Sequence, residues 1–333
     1  MNNIEEIDEA VAVIKKSDSF LLTCHVSPDA DALGSVLAMG LALKKLGKTV
    51  DWYNQDNVPA SLEFLPGTRE VHQELNLKKN YDVVMTGDSG ELSRLGKKFE
   101  EYKNYKCLIN VDHHITNTRF GDINVIEETA SSTGTVMMKI IDKLQVDVTA
   151  DIATCIFATL VADTGSFQYT NTTKEAFDLA GKLVGKGVDP GTVSQNLYFS
   201  FPAEKLLLLK RVLNTLEFSP DHLYSSITLR LDDLKELNVD RDVAEDFIDL
   251  PRSVKSVKVA AFFKEVAPEK FKISLRSKYG VDVSRVCGYF GGGGHYAASG
   301  CLIEGALEDV KKRVYEQSQK AIQSASVSKV SKY

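Results

Sequence analysis

The sequence predicts an α/β protein of two domains, a doubly wound, mostly parallel sheet followed by a smaller α/β domain, with a helical linker joining them. Three observations lead there. Over residues 1–187, short apolar runs of strand type alternate with stretches of helical period, the pattern of a parallel sheet covered on both faces. The 333 residues exceed one ordinary core, at ~100–200 residues per domain. Charge also divides the chain, with a net of −9 over residues 1–190 and +3 over residues 191–333.

Strand patterns fall at residues 20–24, 49–53, 82–86 and 106–111, with a short fifth at 123–126. Helical period runs from 31 to 46, where Gly47 stops it, and returns at 132–144, 151–161 and 173–186. Val188-Asp189-Pro190-Gly191 breaks the pattern, and the leucine-rich helix 203–216 makes residues 188–216 the expected linker. The second domain, 217–325, reads as strands at 224–231, 254–263, 270–276 and 297–303 with a last helix from 306. A glycine-rich loop at 291–294 precedes its fourth strand, and the polar end, 326–333, is expected to fray.

Composition excludes several classes. With 43% hydrophobic and 26% charged residues the chain is too apolar to be disordered. No run of ~18 apolar residues marks a membrane span. The N-terminus is acidic where a secretory signal would be basic and then apolar. Five cysteines without a C-x-x-C pair suggest neither a disulfide framework nor a zinc knuckle, and the expected compartment is the reducing cytoplasm. Cys24 and Cys107 read as buried free thiols. The net charge of −6 argues against binding long duplex DNA by counterion release. Between Arg252 and Lys278, however, eight basic residues face only Glu265 and Glu269, so an acidic, metal-holding half is expected to adjoin a locally basic, anion-holding half.

The acidic and histidine residues gather just past strand ends. His25-Val26-Ser27-Pro28-Asp29-Ala30-Asp31 follows the first strand, Gly87-Asp88-Ser89-Gly90 the third, and Asp112-His113-His114 the fourth. Asp163 stands in a glycine-containing break after an apolar helix. In open parallel sheets the ligand crevice lies outside the carboxyl ends of the strands. Taken singly, Asp29 or Asp31 reads as a helix N-cap, Asp88 as a turn residue and each histidine as a surface residue. Together, so many carboxylates would repel one another without a cation among them.

Carboxylates and imidazoles without thiolate favour Mn²⁺, with Mg²⁺, Co²⁺ or Zn²⁺ as substitutes. Two ions ~3.5–4 Å apart would clamp an in-line displacement at phosphorus and hold the attacking hydroxide. Asp88 suits the bridge, Asp29 and His25 one ion, and Asp31, His113 and Asp163 the other. His114 is left to act on the phosphoryl oxygen or leaving group, and with Asp88 and Asp112 it forms the expected catalytic set. In the second half, Gly292, Gly293, Gly294 and His295 can wrap a phosphate, with Arg276 and Lys278 supplying positive charge. The glycine run does not fit the dinucleotide fingerprint, since Tyr296 stands where its last glycine belongs.

These motifs resemble those of the DHH phosphoesterase superfamily, in the branch whose second domain is of the DHHA1 type. The resemblance rests on His25, Asp29, Asp31, Gly34 and Ser35, on Asp88, on Asp112-His113-His114, on Asp163, and on the 291–294 run with His295 and Ala298-Ser299-Gly300. It implies a cleft between two domains and two Mn²⁺, one held by His25, Asp29 and Asp88 and the other by Asp31, Asp88, His113 and Asp163. It places Arg276, His295 and the glycine run on the substrate. A stand-alone chain of this size is similar to the nano-RNase and pAp phosphatase group, which acts on very short oligoribonucleotides, pApA and 3′-phosphoadenosine 5′-phosphate (pAp). The alternatives are a cyclic di-AMP phosphodiesterase, an inorganic pyrophosphatase of the same superfamily, and a nucleotide sensor without turnover. Homodimerisation is left open.

Overall fold

The computed structural model describes residues 4–330. It divides into two compact units, the first ending at Ser200 and the second beginning at Phe201.

The first unit runs α1 (Ile4–Lys16), β1 (Ser19–Cys24), α2 (Ala30–Lys45), β2 (Thr49–Tyr53), β3 (Val71–His72), β4 (Tyr81–Gly87), α3 (Lys97–Glu100), β5 (Tyr105–Asp112), β6 (Ile123–Ile126), α4 (Thr133–Lys143), α5 (Ala150–Asp163), α6 (Lys174–Val184) and α7 (Pro190–Tyr198). All six strands are parallel, in the order β3-β2-β1-β4-β5-β6. Both faces are covered, which is why Phe20, Leu22, Val83, Val84 and Met85 are all fully buried and no polar alternation shows in the strands. The two-residue β3 has too little periodicity to be read from sequence.

α2 is apolar nearly all round and lies in the core, with 13 of its 16 residues buried. Its close approach to α5 needs Gly34, where a Cβ would lie 2.8 Å from the Thr159 methyl and 2.9 Å from the Cys155 carbonyl. That crossing sets the first turn of α2, which carries Asp31, near the end of α5, which carries Asp163. Asp163 is the last helical residue of α5, one position inside the break expected for it.

The second unit runs α8 (Ala203–Leu213), β7 (Glu217–Phe218), β8 (Tyr224–Leu229), α9 (Leu231–Leu237), α10 (Asp249–Ser253), β9 (Val259–Ala267), β10 (Lys270–Ser277), α11 (Val283–Tyr289), β11 (Gly293–His295), β12 (Ala298–Glu304) and α12 (Leu307–Val330). Its mixed sheet has the order β11-β12-β10-β9-β8-β7, with only β8 and β9 parallel.

Four expectations shift in detail. The linker is shared: Val193 of α7 packs into the first core, and Leu208 and Val212 of α8 pack into the second. The strand expected from 254 begins at Val259, because the backbone N–H groups of Val257 and Lys258 turn to Val254 and Leu223. The glycine run is half strand, since residues 293–295 pair with β12 as an edge, a role that glycine composition disfavours. α12 stays helical to Val330, and residues 331–333 of the expected tail lie outside the described residues. Among the described residues no helix is long and apolar enough to cross a membrane.

Candidate metal centre and anion-binding elements

In the first sheet the strand order reverses at β1 and β4, and at such a switch point the diverging connections leave a crevice beyond the carboxyl ends of the strands. His25 follows the last residue of β1, Asp88 follows the last of β4, and Asp112 ends β5 ahead of His113 and His114. Asp29 is the N-cap of α2, its Oδ1 accepting from Ala32 N at 2.9 Å. The capping role and a place in the crevice therefore coincide in one side chain.

Candidate ligand atoms converge in three groups, each within 4.8 Å: His25, Asp29 and Asp88; Asp31, His113 and Asp163; Asp88, His113 and His114. Asp88 Oδ2 lies 3.4 Å from His25 Nε2, while its Oδ1 lies 3.8 Å from His113 Nε2 and 3.4 Å from His114 Nδ1. One carboxylate thus presents an oxygen to each side. Asp88 takes this position from a left-handed backbone, φ 56°, which Asp and Asn tolerate better than most residues.

Backbone groups orient the ligands. His25 Nδ1 donates to the Val26 carbonyl at 2.8 Å and His113 Nδ1 to the Ala130 carbonyl at 3.2 Å, so Nε2 is the ring atom that each turns toward the carboxylates. Asp31, 2% exposed, accepts from Thr133 N at 2.8 Å and Gly134 N at 3.1 Å, the amide-rich start of α4. Thr133 Oγ1 donates to Asp88 Oδ1 at 3.0 Å.

Asp112 belongs to none of the three groups but abuts the third through His114. It is fully buried and accepts from His113 N, from His114 Nδ1 at 2.8 Å and from Asn117 Nδ2 at 2.6 Å. It therefore orients His114, whose Nε2 remains available. Asn171 does similar work for Asp163, donating to its carbonyl at 3.0 Å and its carboxylate at 3.4 Å. Sequence reading missed Thr133, Asn117 and Asn171. Asn117 and Asn171 had only their nearness in the chain to Asp112 and Asp163 as a signal, and Thr133 had none.

Burial, then the Asp88 and Asp163 charges, raises the Asp31 carboxyl well above its ordinary range. Burial and Asp88 raise Asp163 to about 6, against the opposing pull of His113. Burial also works against an ionised Asp88, but the His25 hydrogen bond and the charges of His114, His25 and His113 hold it low. The Asp112 hydrogen bond raises His114 to about 9. Two carboxyls raised beside one held low is the electrostatic signature of crowded acidic groups in a buried site. The donor set fits divalent cations that accept oxygen and imidazole. The adjacent Cys24 thiol, pushed up by burial, does not compete as a thiolate.

In the second unit, register brings Arg276 and His295 together. Arg276 lies opposite Ala298, and Ala298 lies opposite His295. The two therefore point to one face across three strands, about 9–10 Å apart by strand spacing, with only a methyl between them. Gly292 is tied to this frame by its N–H on the Cys287 carbonyl, 2.9 Å. No side chain fits there, because a Cβ would lie 2.2 Å from Gly300 O. Gly293, Gly294 and His295 are exposed. Lys278 is set apart, its Nζ donating to the Val254 carbonyl at 2.8 Å.

Comparison with known proteins agrees with this picture. The model of the DHH family N-terminal domain matches residues 19–160, and that of the DHHA1 domain matches 223–323. The chain is 34% identical over 297 residues to the bifunctional oligoribonuclease and PAP phosphatase NrnA of Thermus thermophilus, covering 89% of this chain and 87% of that one. It is 25% identical over 308 residues to the Bacillus subtilis protein of the same name, covering 89% and 92%. A crystal structure of an exopolyphosphatase-related protein from Bacteroides fragilis superposes with a TM-score of 0.89 at 26% identity, covering 97% and 98%. Similarity of this extent at this identity fixes the kinship: the chain belongs to the DHH family of phosphoesterases, in the DHHA1-containing group that includes the NrnA proteins.

Proposed function

We propose that the protein is a metal-dependent phosphodiesterase that hydrolyses very short oligoribonucleotides and dinucleotides such as pApA to mononucleotides, and that it also removes the 3′-phosphate of pAp. The observation that carries this reading is Asp88 with one oxygen toward each of two ligand groups at the switch point. The names of the relatives support the substrate class and do not favour cyclic di-AMP hydrolysis, pyrophosphate hydrolysis or sensing without turnover. The free thiols of all five cysteines suit a reducing, cytoplasmic setting.

His25, Asp29 and Asp88 would hold one divalent cation, and Asp31, Asp88, His113 and Asp163 a second, with Mn²⁺ the proposed metal. When bound, such a pair supplies the positive charge and the activated water that an in-line displacement at phosphorus requires. The chain's own residues do the rest. Asp112 holds His114 cationic, so its Nε2–H can donate to a phosphoryl oxygen or to the departing oxygen. Arg276, with His295 on the same face, grips a phosphate of the nucleotide, and the amides of Gly292, Gly293 and Gly294 close around it. Lys278 adds positive potential from a distance. Holding the far phosphate gives the protein a length gauge, so a 24-mer is expected to be cleaved more slowly than a dimer.

Product analysis with pApA, pAp, a ribo-5-mer, cyclic di-AMP and pyrophosphate, each with Mn²⁺ and with EDTA, tests this. Mononucleotides from pApA and the 5-mer and AMP from pAp, all lost in EDTA, are the expected result. Phosphate from pyrophosphate with nothing from pApA would overturn it.

Two further outcomes follow. Arg276→Ala should raise KM for pApA by at least ~10-fold while changing kcat less, because a guanidinium that grips the same phosphate in the bound substrate and in the transition state contributes uniform binding. Metal should also stabilise the fold in a pH-dependent way. Asp31 and Asp163 are raised above the ordinary carboxyl value of about 3.9. The metal-free fold therefore loses stability as pH rises through that value toward the folded one, which for Asp163 is about 6. Cations need the deprotonated form. The Tm difference between Mn²⁺ and EDTA samples should widen from about pH 5 to about pH 7 and reach roughly 5–10 °C at 100 times Kd.

A further inference from the structure

Cys287 and Cys301 bracket the glycine run in the chain, and their thiols meet in the fold. Cys287 lies on α11 and Cys301 on β12, both buried in the core of the second unit. Their side chains are within hydrogen-bonding reach of each other. Cys24, Cys107 and Cys155 belong to the first unit.

The run between them is built onto both residues. Gly292 N donates to Cys287 O, and a Cβ on Gly292 would lie 2.5 Å from Cys301 Cβ. The backbone of Gly292 thus packs directly on Cys301. Gly288, Tyr289, Gly291 and Gly293 around it are exposed, and Gly291 and Gly294 have positive φ of 74° and 139°. Such a glycine-rich, surface-lying cover opens more readily than a helix or an inner strand. The hydrogen bond from Cys287 lowers the Cys301 pKa against the effect of burial, while Cys287 itself is raised by that bond and by burial. Cys301 is also the less buried of the two, 7% exposed against 0%, and so the thiol that a peroxide reaches first.

We infer that Cys287 and Cys301 form a redox-modifiable dithiol, oxidised by a hydroperoxide to a disulfide that re-sets the glycine run. The Cys301 thiolate attacks the peroxide oxygen, giving a sulfenic acid and releasing hydroxide (or an alkoxide). The Cys287 thiol then attacks the sulfenic sulfur, the S–S bond forms, and water leaves with the thiol proton. Two thiols are oxidised and one peroxide is reduced. Drawing the sulfurs from non-bonded contact to bonding distance moves α11 against β12, and Gly292 is tied to both. The thiol chemistry stands alone. Its effect on nucleotide binding rests on the proposal that the glycine run holds substrate, and by reciprocity bound nucleotide then shields the thiols.

The test oxidises the full-length, metal-free chain with hydrogen peroxide, removes the peroxide and reloads Mn²⁺. Non-reducing peptide mapping should find the 287–301 linkage, and pApA added beforehand should slow its formation. KM for pApA should rise roughly 5-fold or more and return with dithiothreitol. Cys287→Ala and Cys301→Ala should each keep basal activity and lose the peroxide response. Absence of the linkage after peroxide treatment overturns the dithiol and leaves the catalytic reading untouched. A linkage that forms with KM unchanged overturns the coupling to substrate.

Discussion

Asp88→Asn is expected to lower kcat on pApA by ~10³-fold or more and yet leave the chain folded. The substitution keeps the shape, the contact with Thr133 Oγ1 and a residue type that accepts φ 56°. It removes the one charge set between two ligand groups. It also removes a like charge that raises both Asp31 and Asp163. The metal-free variant should therefore stay folded, the lost charge of Asp88 toward His25 and His114 being offset in part by relief of that repulsion, while most of the stabilisation by Mn²⁺ disappears. Circular dichroism melts with and without Mn²⁺, beside steady-state kinetics, separate this from simple unfolding. A variant that kept more than a tenth of parental kcat would remove Asp88 from the bridging role.

His114→Ala should show the complementary pattern, with kcat down by ~10²–10⁴-fold and Mn²⁺ stabilisation largely retained. The reason is geometric. His25 and His113 each anchor Nδ1 on a backbone carbonyl and aim Nε2 into the carboxylates, whereas His114 spends Nδ1 on Asp112 and is half exposed. It is thus built to carry a proton at Nε2 rather than to ligate through that atom. Asp112→Asn should reproduce part of the loss by lowering the His114 pKa toward its ordinary value. In that variant the activity optimum should move to lower pH, because His114 loses its proton earlier. An unchanged pH profile would leave Asp112 with a purely structural role.

The parallel sheet and the places where chemistry attaches to it were legible because strands buried on both faces write continuous apolar runs. The polar residue that follows each run then stands at a strand exit, as His25, Asp88 and His113 do. What sequence could not show was orientation. Asp112 and His114 are near neighbours in the acidic motif, yet the carboxylate turns inward to Asn117 and the imidazole outward. Asn171 reaches Asp163 across a chain reversal that no period marks. In the second unit, glycine composition read as a loop, while pairing with β12 made residues 293–295 an edge strand. Strand register, invisible in sequence, is what aligns His295 with Arg276.

Diffraction from crystals grown with Mn²⁺, measured at the manganese absorption edge, tests the central claim most directly. Two anomalous peaks about 3.5–4 Å apart are expected, one against His25 and Asp29, the other against Asp31, His113 and Asp163, with an Asp88 oxygen toward each. A single peak that does not touch Asp88, or none among these seven side chains with His114 included, would contradict it.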